Sequence, residues 1–170
     1  MSRLDPRRCG RRPDAKDRDL RDLGLDLEEE IALNIARLFF QSFAAPESSA
    51  WMAALAEAEA RFGPRDGPIL AARILAALQA VRKSRRSTFL FNSPACPGCA
   101  AVATEHERRL MRALSALRRG DRGTARLEAM MLCEGNRLDA VLGALAALGA
   151  VLDGRLPDNV SPSRHAWVAE

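Results

Sequence analysis

The chain has no tyrosine, aromatic residues make up only 5% of its 170 positions, and its longest apolar run, residues 140–152, is interrupted by Gly143 and Gly149. The shortage of aromatics argues against a β-rich core, which such side chains usually fill. The shortness of the run argues against a membrane span, which needs roughly 20 consecutive apolar residues. Histidine occurs twice and cysteine four times, at positions 9, 96, 99 and 133. Four unevenly spaced cysteines are too few for a secreted disulfide scaffold. No apolar segment follows Arg3, Arg7 and Arg8, so no secretory signal is expected and the expected location is cytoplasmic.

Several chemistries lack their motifs. There is no glycine-rich phosphate loop ending in Lys-Ser/Thr, no Gly-x-Gly-x-x-Gly after a strand and no His-Glu-x-x-His. Ala100 rather than histidine follows Cys99, which removes c-type haem attachment. A carboxylate-bridged di-iron centre needs repeated helical histidines, and His106 is the one helical candidate, His165 lying in a proline-containing tail.

What is present is helix-forming. Hydrophobic residues reach 48% and charged residues 28%, a balance suited to one soluble core built from Leu, Ala, Ile, Val and Met. The expected fold is all-α: a single bundle of about five helices, with an irregular Cys-x-x-Cys loop between helices 3 and 4. Residues 1–22 alternate Arg and Asp and are expected to be a flexible arm, residues 23–153 the helical domain, and residues 154–170 a surface tail with Trp167 against a helix. Apolar spacing of three and four places the first helix over residues 27–43, ended by Pro46. The second runs from Ser48 or Ser49 to Phe62, closed by Gly63-Pro64, and the third starts at Ile69 after a tight Asp66-Gly67-Pro68 connection. The fourth carries Val102, His106, Leu110, Leu114 and Leu117. The fifth, capped by Thr124, runs unbroken through Leu127, Met130, Met131 and Leu138 to Leu152.

Charge is segmental. Residues 82–126 hold 11 basic and 3 acidic side chains, whereas the whole chain is only +4. Arg82, Lys83, Arg85, Arg86, Arg108, Arg109 and Arg112 form a candidate patch for an anionic partner, or else solvated faces paired with acidic helices.

The candidate site centres on Cys96-Pro97-Gly98-Cys99, where the Pro-Gly turn can direct two sulfurs the same way. With Cys133 and His106 these make a Cys3His set, the composition of many structural zinc sites. A helix starting at Pro97 would separate Cys99 and His106 by about 10 Å at roughly 1.5 Å per residue. A helix starting at Thr104, with Thr104 and Glu107 as a capping box, frees the loop to fold over His106. Glu134 interrupts the apolar stripe of the fifth helix and is expected to face the core, pairing with His106 or with an arginine such as Arg108 or Arg137, or serving as an oxygen ligand. Gly135 beside it would give space for an approaching ligand.

Three functions follow. The first is a small accessory or regulatory protein that binds zinc through Cys96, Cys99, Cys133 and His106; iron or an iron–sulfur cluster fits the same thiolates. The second is a dithiol oxidoreductase in which Cys96 attacks and Cys99 resolves the mixed disulfide. Pro-Gly between two cysteines resembles the active-site dipeptide of thioredoxin-type proteins, but the βαβ pattern is missing, since only Thr88 to Phe91 can form a short strand before it. The third is a non-enzymatic interaction or nucleic-acid-binding protein whose cysteines simply pack. The expected partner is another protein, with nucleic acid as the alternative and no membrane.

Overall fold

The computed structural model describes residues 16–154. They form an all-α bundle of six helices, with a short cysteine-containing loop ahead of the fourth. Helix α1, Leu27–Ala44, starts at a capping box in which Asp26 accepts the Glu29 amide and Glu29 accepts the Asp26 amide. That arrangement satisfies two end-of-helix donors reciprocally, while three glutamates in the first turn suit the positive end of the helix dipole. A 3-10 turn, Pro46–Ser48, leads into α2, Ala50–Ser84.

Helix α2 joins the two helices expected over residues 48–82. The break between them is one residue, Gly63, at φ 81° and ψ 170°, and the second half restarts directly at Pro64. Proline costs nothing there, because the first helical position has no intrahelical acceptor for an N–H. Asp66-Gly67-Pro68 is therefore helical rather than a connection. Gly67 permits the return: a Cβ on it would lie 2.6 Å from the Glu59 Cα and 2.7 Å from the Ala58 carbonyl oxygen.

The loop after α2 contains α3, Pro97–Ala100, and a two-residue strand β2, Val102–Ala103. Strand β1, Arg18–Asp19, pairs antiparallel with β2, and a 3-10 turn, Leu20–Leu23, follows it. Residues 18–22, expected in the flexible arm, are thus tied to the cysteine loop. Helix α4, Glu105–Arg118, begins at Thr104 with its capping box to Glu107, the later of the two starts the sequence allowed. Helix α5, Arg122–Leu132, is capped by Asp121 rather than Thr124, and α6, Leu138–Leu152, completes the bundle.

The unbroken fifth helix is a second departure. Between α5 and α6 the chain turns through Glu134, Gly135 and Arg137, all at positive φ. The Gly135 amide bonds back to the Met130 carbonyl at 3.0 Å, so this glycine terminates a helix in place of making room within one. The burial phase of α5 shifts accordingly. Ala125, Ala129 and Leu132 face the core, while Leu127, Met130 and Met131 are roughly half exposed. Alanine at the contact positions lets α5 lie close against its neighbours, and the larger methionines are left outside.

The core brings Leu33, Ile35 and Phe39 of α1 together with Leu70, Ile74 and Leu78 of α2, Leu114 of α4, and Val141 and Leu145 of α6. One ion pair lies inside it. Arg37 is 2% exposed and Glu107 0%. Arg37 also donates to the carbonyls of Ala100 at 2.9 Å and Val102 at 2.7 Å, and Glu107 accepts the amides of Asn92 at 3.0 Å and Thr104 at 2.8 Å. The pair therefore fixes both ends of the cysteine loop to the bundle. Among the described residues no helix is long and apolar enough to cross a membrane.

Candidate functional site

The residues singled out in the sequence do not assemble into a metal centre. Among the described residues no group of three or more His, Cys, Asp or Glu side chains could hold a metal ion, which overturns the expectation of zinc, iron or an iron–sulfur cluster on Cys96, Cys99, Cys133 and His106. Each donor is otherwise engaged or isolated. Cys99 is disulfide-bonded and 8% exposed. Cys96, at the cap of α3, keeps a half-buried free thiol, so these two cysteines are not joined to one another. Cys133 is fully buried beside Ser84 and Arg85, and burial pushes its thiol pKa up. Cys9 lies outside the described residues.

Three of the expected residues do converge, but on a cation. Arg85, at the C-terminal cap of α2, has a side chain only 4% exposed. Its Nη1 donates to the Leu132 carbonyl, and its Nη2 donates to the Ser87 hydroxyl at 2.7 Å, approaches Glu134 Oε1 at 3.3 Å and lies 3.2 Å from His106 Nε2. Burial lowers the pKa of this guanidinium, and the Glu134 carboxylate opposes that shift. Glu134 does not face the core. Positive φ at this residue turns its carboxylate outward, where it accepts the Arg86 amide at 2.9 Å, the Ser87 amide at 3.3 Å and the Ser87 hydroxyl. Those hydrogen bonds, that of the Ser87 hydroxyl first, hold its pKa down at about 2. Its arginine partner is Arg85, not Arg108 or Arg137.

His106 uses one ring nitrogen as an acceptor and turns the other toward a cation. Nδ1 accepts the Leu90 amide at 2.8 Å, which leaves the proton of the neutral ring on Nε2, the nitrogen that faces the Arg85 guanidinium. A second ring proton would bring two cations together and remove the acceptor of Leu90. Burial first, and the Arg85 charge second, accordingly lower the His106 pKa. The ring supports Phe89 at a centroid distance of 5.4 Å.

The Arg85 cluster forms one wall of a cleft of about 290 Å³ between the ends of α1 and α2 and residues 85–91. Its other walls are aromatic. Phe89 stacks on Phe40 at 4.2 Å with an interplanar angle of 16°, Phe91 lies on Phe40 at 5.6 Å, and Phe43 meets Phe40 edge-on at 6.2 Å. Exposed Arg82 stands over the Phe43 ring at 4.3 Å, within cation–π range. Arg85 Nε is buried and has no hydrogen-bond acceptor. The cleft is thus a phenylalanine-lined recess with the exposed Arg82 guanidinium at its edge and Arg85, already paired with Glu134, in its wall.

The remaining basic residues are partly neutralised. Arg109 bridges Glu105 at 2.6 Å and Glu128 at 3.3 Å, and Arg112 reaches Glu128 at 3.5 Å. Phe40 and Phe43, which shape the cleft, were not singled out as functional in the sequence. Their signal was a run of aromatics near the end of α1 matching the aromatics of residues 89–91 in a chain otherwise poor in them. Comparison with family models, curated proteins and solved structures finds no match, and the chemistry of the site rests on these residues themselves.

Proposed function

We propose that this chain is a non-enzymatic binding protein of accessory or regulatory type, and that its cleft takes a small molecule carrying one anionic group on an apolar or aromatic body. The observation that carries the reading is Arg82 lying 4.3 Å above Phe43 at the edge of a recess whose other side chains include Phe40, Phe89 and Phe91. Aromatic faces bind the body of such a ligand by stacking, and a guanidinium offers paired donors to a carboxylate or phosphate. The volume is at the lower end of the range of about 300–1,000 Å³ typical of small-molecule sites. His106 favours binding over catalysis, because its Nδ1 is committed to the Leu90 amide and its Nε2 faces the guanidinium of Arg85. Nucleic acid is a poorer fit, since Arg85, Arg109 and Arg112 of the basic segment already face carboxylates.

Isothermal titration with phenyl phosphate and benzoate tests this reading. Both should bind the native protein and raise its melting temperature. Arg82→Gln, at an exposed position, should fold normally and bind about tenfold more weakly, the loss expected for one hydrogen bond to a charged group. Absence of binding by either probe at millimolar concentration would refute the proposal.

A further inference from the structure

A second recess adjoins the first. On the far side of Phe43, the end of α1 and the two halves of α2 enclose a groove of about 440 Å³ lined by Phe39, Phe43, Trp51, Leu55 and Leu75, with Ser42 as its one polar side chain. Trp51 and Leu55 are 47% and 42% exposed, a large apolar area to leave in water. The groove exists because α2 doubles back at Gly63 and because Ala71 and Ala72 present no bulk to it. Phe43 lines both recesses. Together they run from a wholly apolar end at Trp51 and Leu55 to a cationic end at Arg82.

We infer that the occupant is a free long-chain carboxylate, its head at Arg82 and its hydrocarbon tail past Phe43 in the groove of Trp51, Leu55 and Leu75. The inference rests on the anion-binding reading of the cleft and adds the tail. Charge and polarity are complementary along the length of such a molecule. Arg82 is exposed and can reach a carboxylate at the mouth, while Arg85 is already paired with Glu134 and offers no exposed donor. The groove offers a tail no charged side chain and a single hydroxyl. An anion without a tail would leave Trp51 and Leu55 in water, and an uncharged hydrocarbon would gain nothing from the Arg82 guanidinium.

The test is a chain-length series, from hexanoate to dodecanoate below their micelle concentrations, titrated into the full chain and followed by calorimetry and by Trp51 fluorescence in a Trp167→Phe background. Affinity should rise about fourfold per added methylene, equivalent to about 0.8 kcal/mol each, with a blue shift of Trp51 emission. Leu55→Asp, at an exposed position, should abolish the length dependence and leave benzoate binding intact. Arg82→Gln should weaken every member of the series alike. Length-independent affinity with benzoate still binding would overturn the tail inference and leave the cleft reading standing; loss of all anion binding would overturn both. A dimer in sedimentation that Leu55→Asp dissociates, with no uptake of dodecanoate, would assign the groove to self-association and also overturn the inference.

Discussion

Arg37 and Glu107 stand 70 residues apart in the chain, yet Nε of one donates to Oε1 of the other at 2.8 Å and Nη2 to Oε2 at 3.1 Å, inside the bundle. The other hydrogen bonds of the two side chains go to the backbone of residues 92–104. Removing one partner leaves a buried charge without compensation, at a cost of about 3–5 kcal/mol. Glu107→Ala should therefore lower the urea midpoint strongly. The double variant Arg37→Met with Glu107→Leu should recover only part of the loss, because the Ala100 carbonyl and the Asn92 and Thr104 amides lose their partners as well. Equal destabilisation by single and double variants would contradict this account.

Glu134 gives an acid-sensitive contact. Its pKa in the fold is about 2 against an ordinary 4.5, so its stabilisation is complete above 4.5 and disappears as pH falls toward 2. Glu134→Gln should melt below the native protein near neutral pH, and the gap should close over that window. Other depressed carboxylates, such as Glu105, are common to both proteins and cancel in the difference. A gap that stays constant with pH would show that the charge of Glu134 is not what holds residues 86–87.

His106 works in a separate window with the same sign. Its folded pKa lies below the ordinary 6.5, so the unfolded chain takes up the proton first and stability falls as pH drops below 6.5. His106→Asn should flatten the melting profile between that value and the folded pKa, leaving the lower Glu134 window in place. Thermal melts at closely spaced pH values separate the two.

The cysteines should differ sharply in reactivity. Without reductant, iodoacetamide should label Cys96 in the native protein and spare Cys133, which is 0% exposed and has a raised pKa. Cys133 should label only with denaturant, and Cys99 only after reduction. Peptide mapping by mass spectrometry reads all three, and rapid native labelling of Cys133 would contradict its placement.

The legible parts of the fold were those written in local spacing. Thr104 with Glu107 is a capping box within four residues and starts α4 at one of the two places the sequence allowed, while apolar spacing gave the start of α1 at Leu27, where Asp26 and Glu29 close a second box. The turn after α5 carried one local signal, Gly135, and the positive φ of Glu134 and Arg137 was not readable from their identities. Without that turn, the apolar spacing of Met130 and Met131 ran on smoothly and placed Glu134 inside. Arg37 sits one turn from Leu33 and from Phe40, so a cation on the buried face of α1 was visible in principle. Its partner lies in another helix, however, and single-helix spacing does not reveal such a pairing. The cleft is similarly non-local. Phe40 and Phe89 meet across the chain, in a segment held by Glu134, 47 residues beyond Ser87, and by His106, 16 residues beyond Leu90.

The one-residue bend at Gly63 leaves no slack between the arms of α2. A loop of several residues would let Trp51 and Leu55 drift relative to Leu75; a single glycine, braced by the backbone contact of Gly67 with Ala58 and Glu59, sets their spacing by bond geometry. The groove is consequently ready before anything enters it, and a guest need not spend binding energy on ordering its walls.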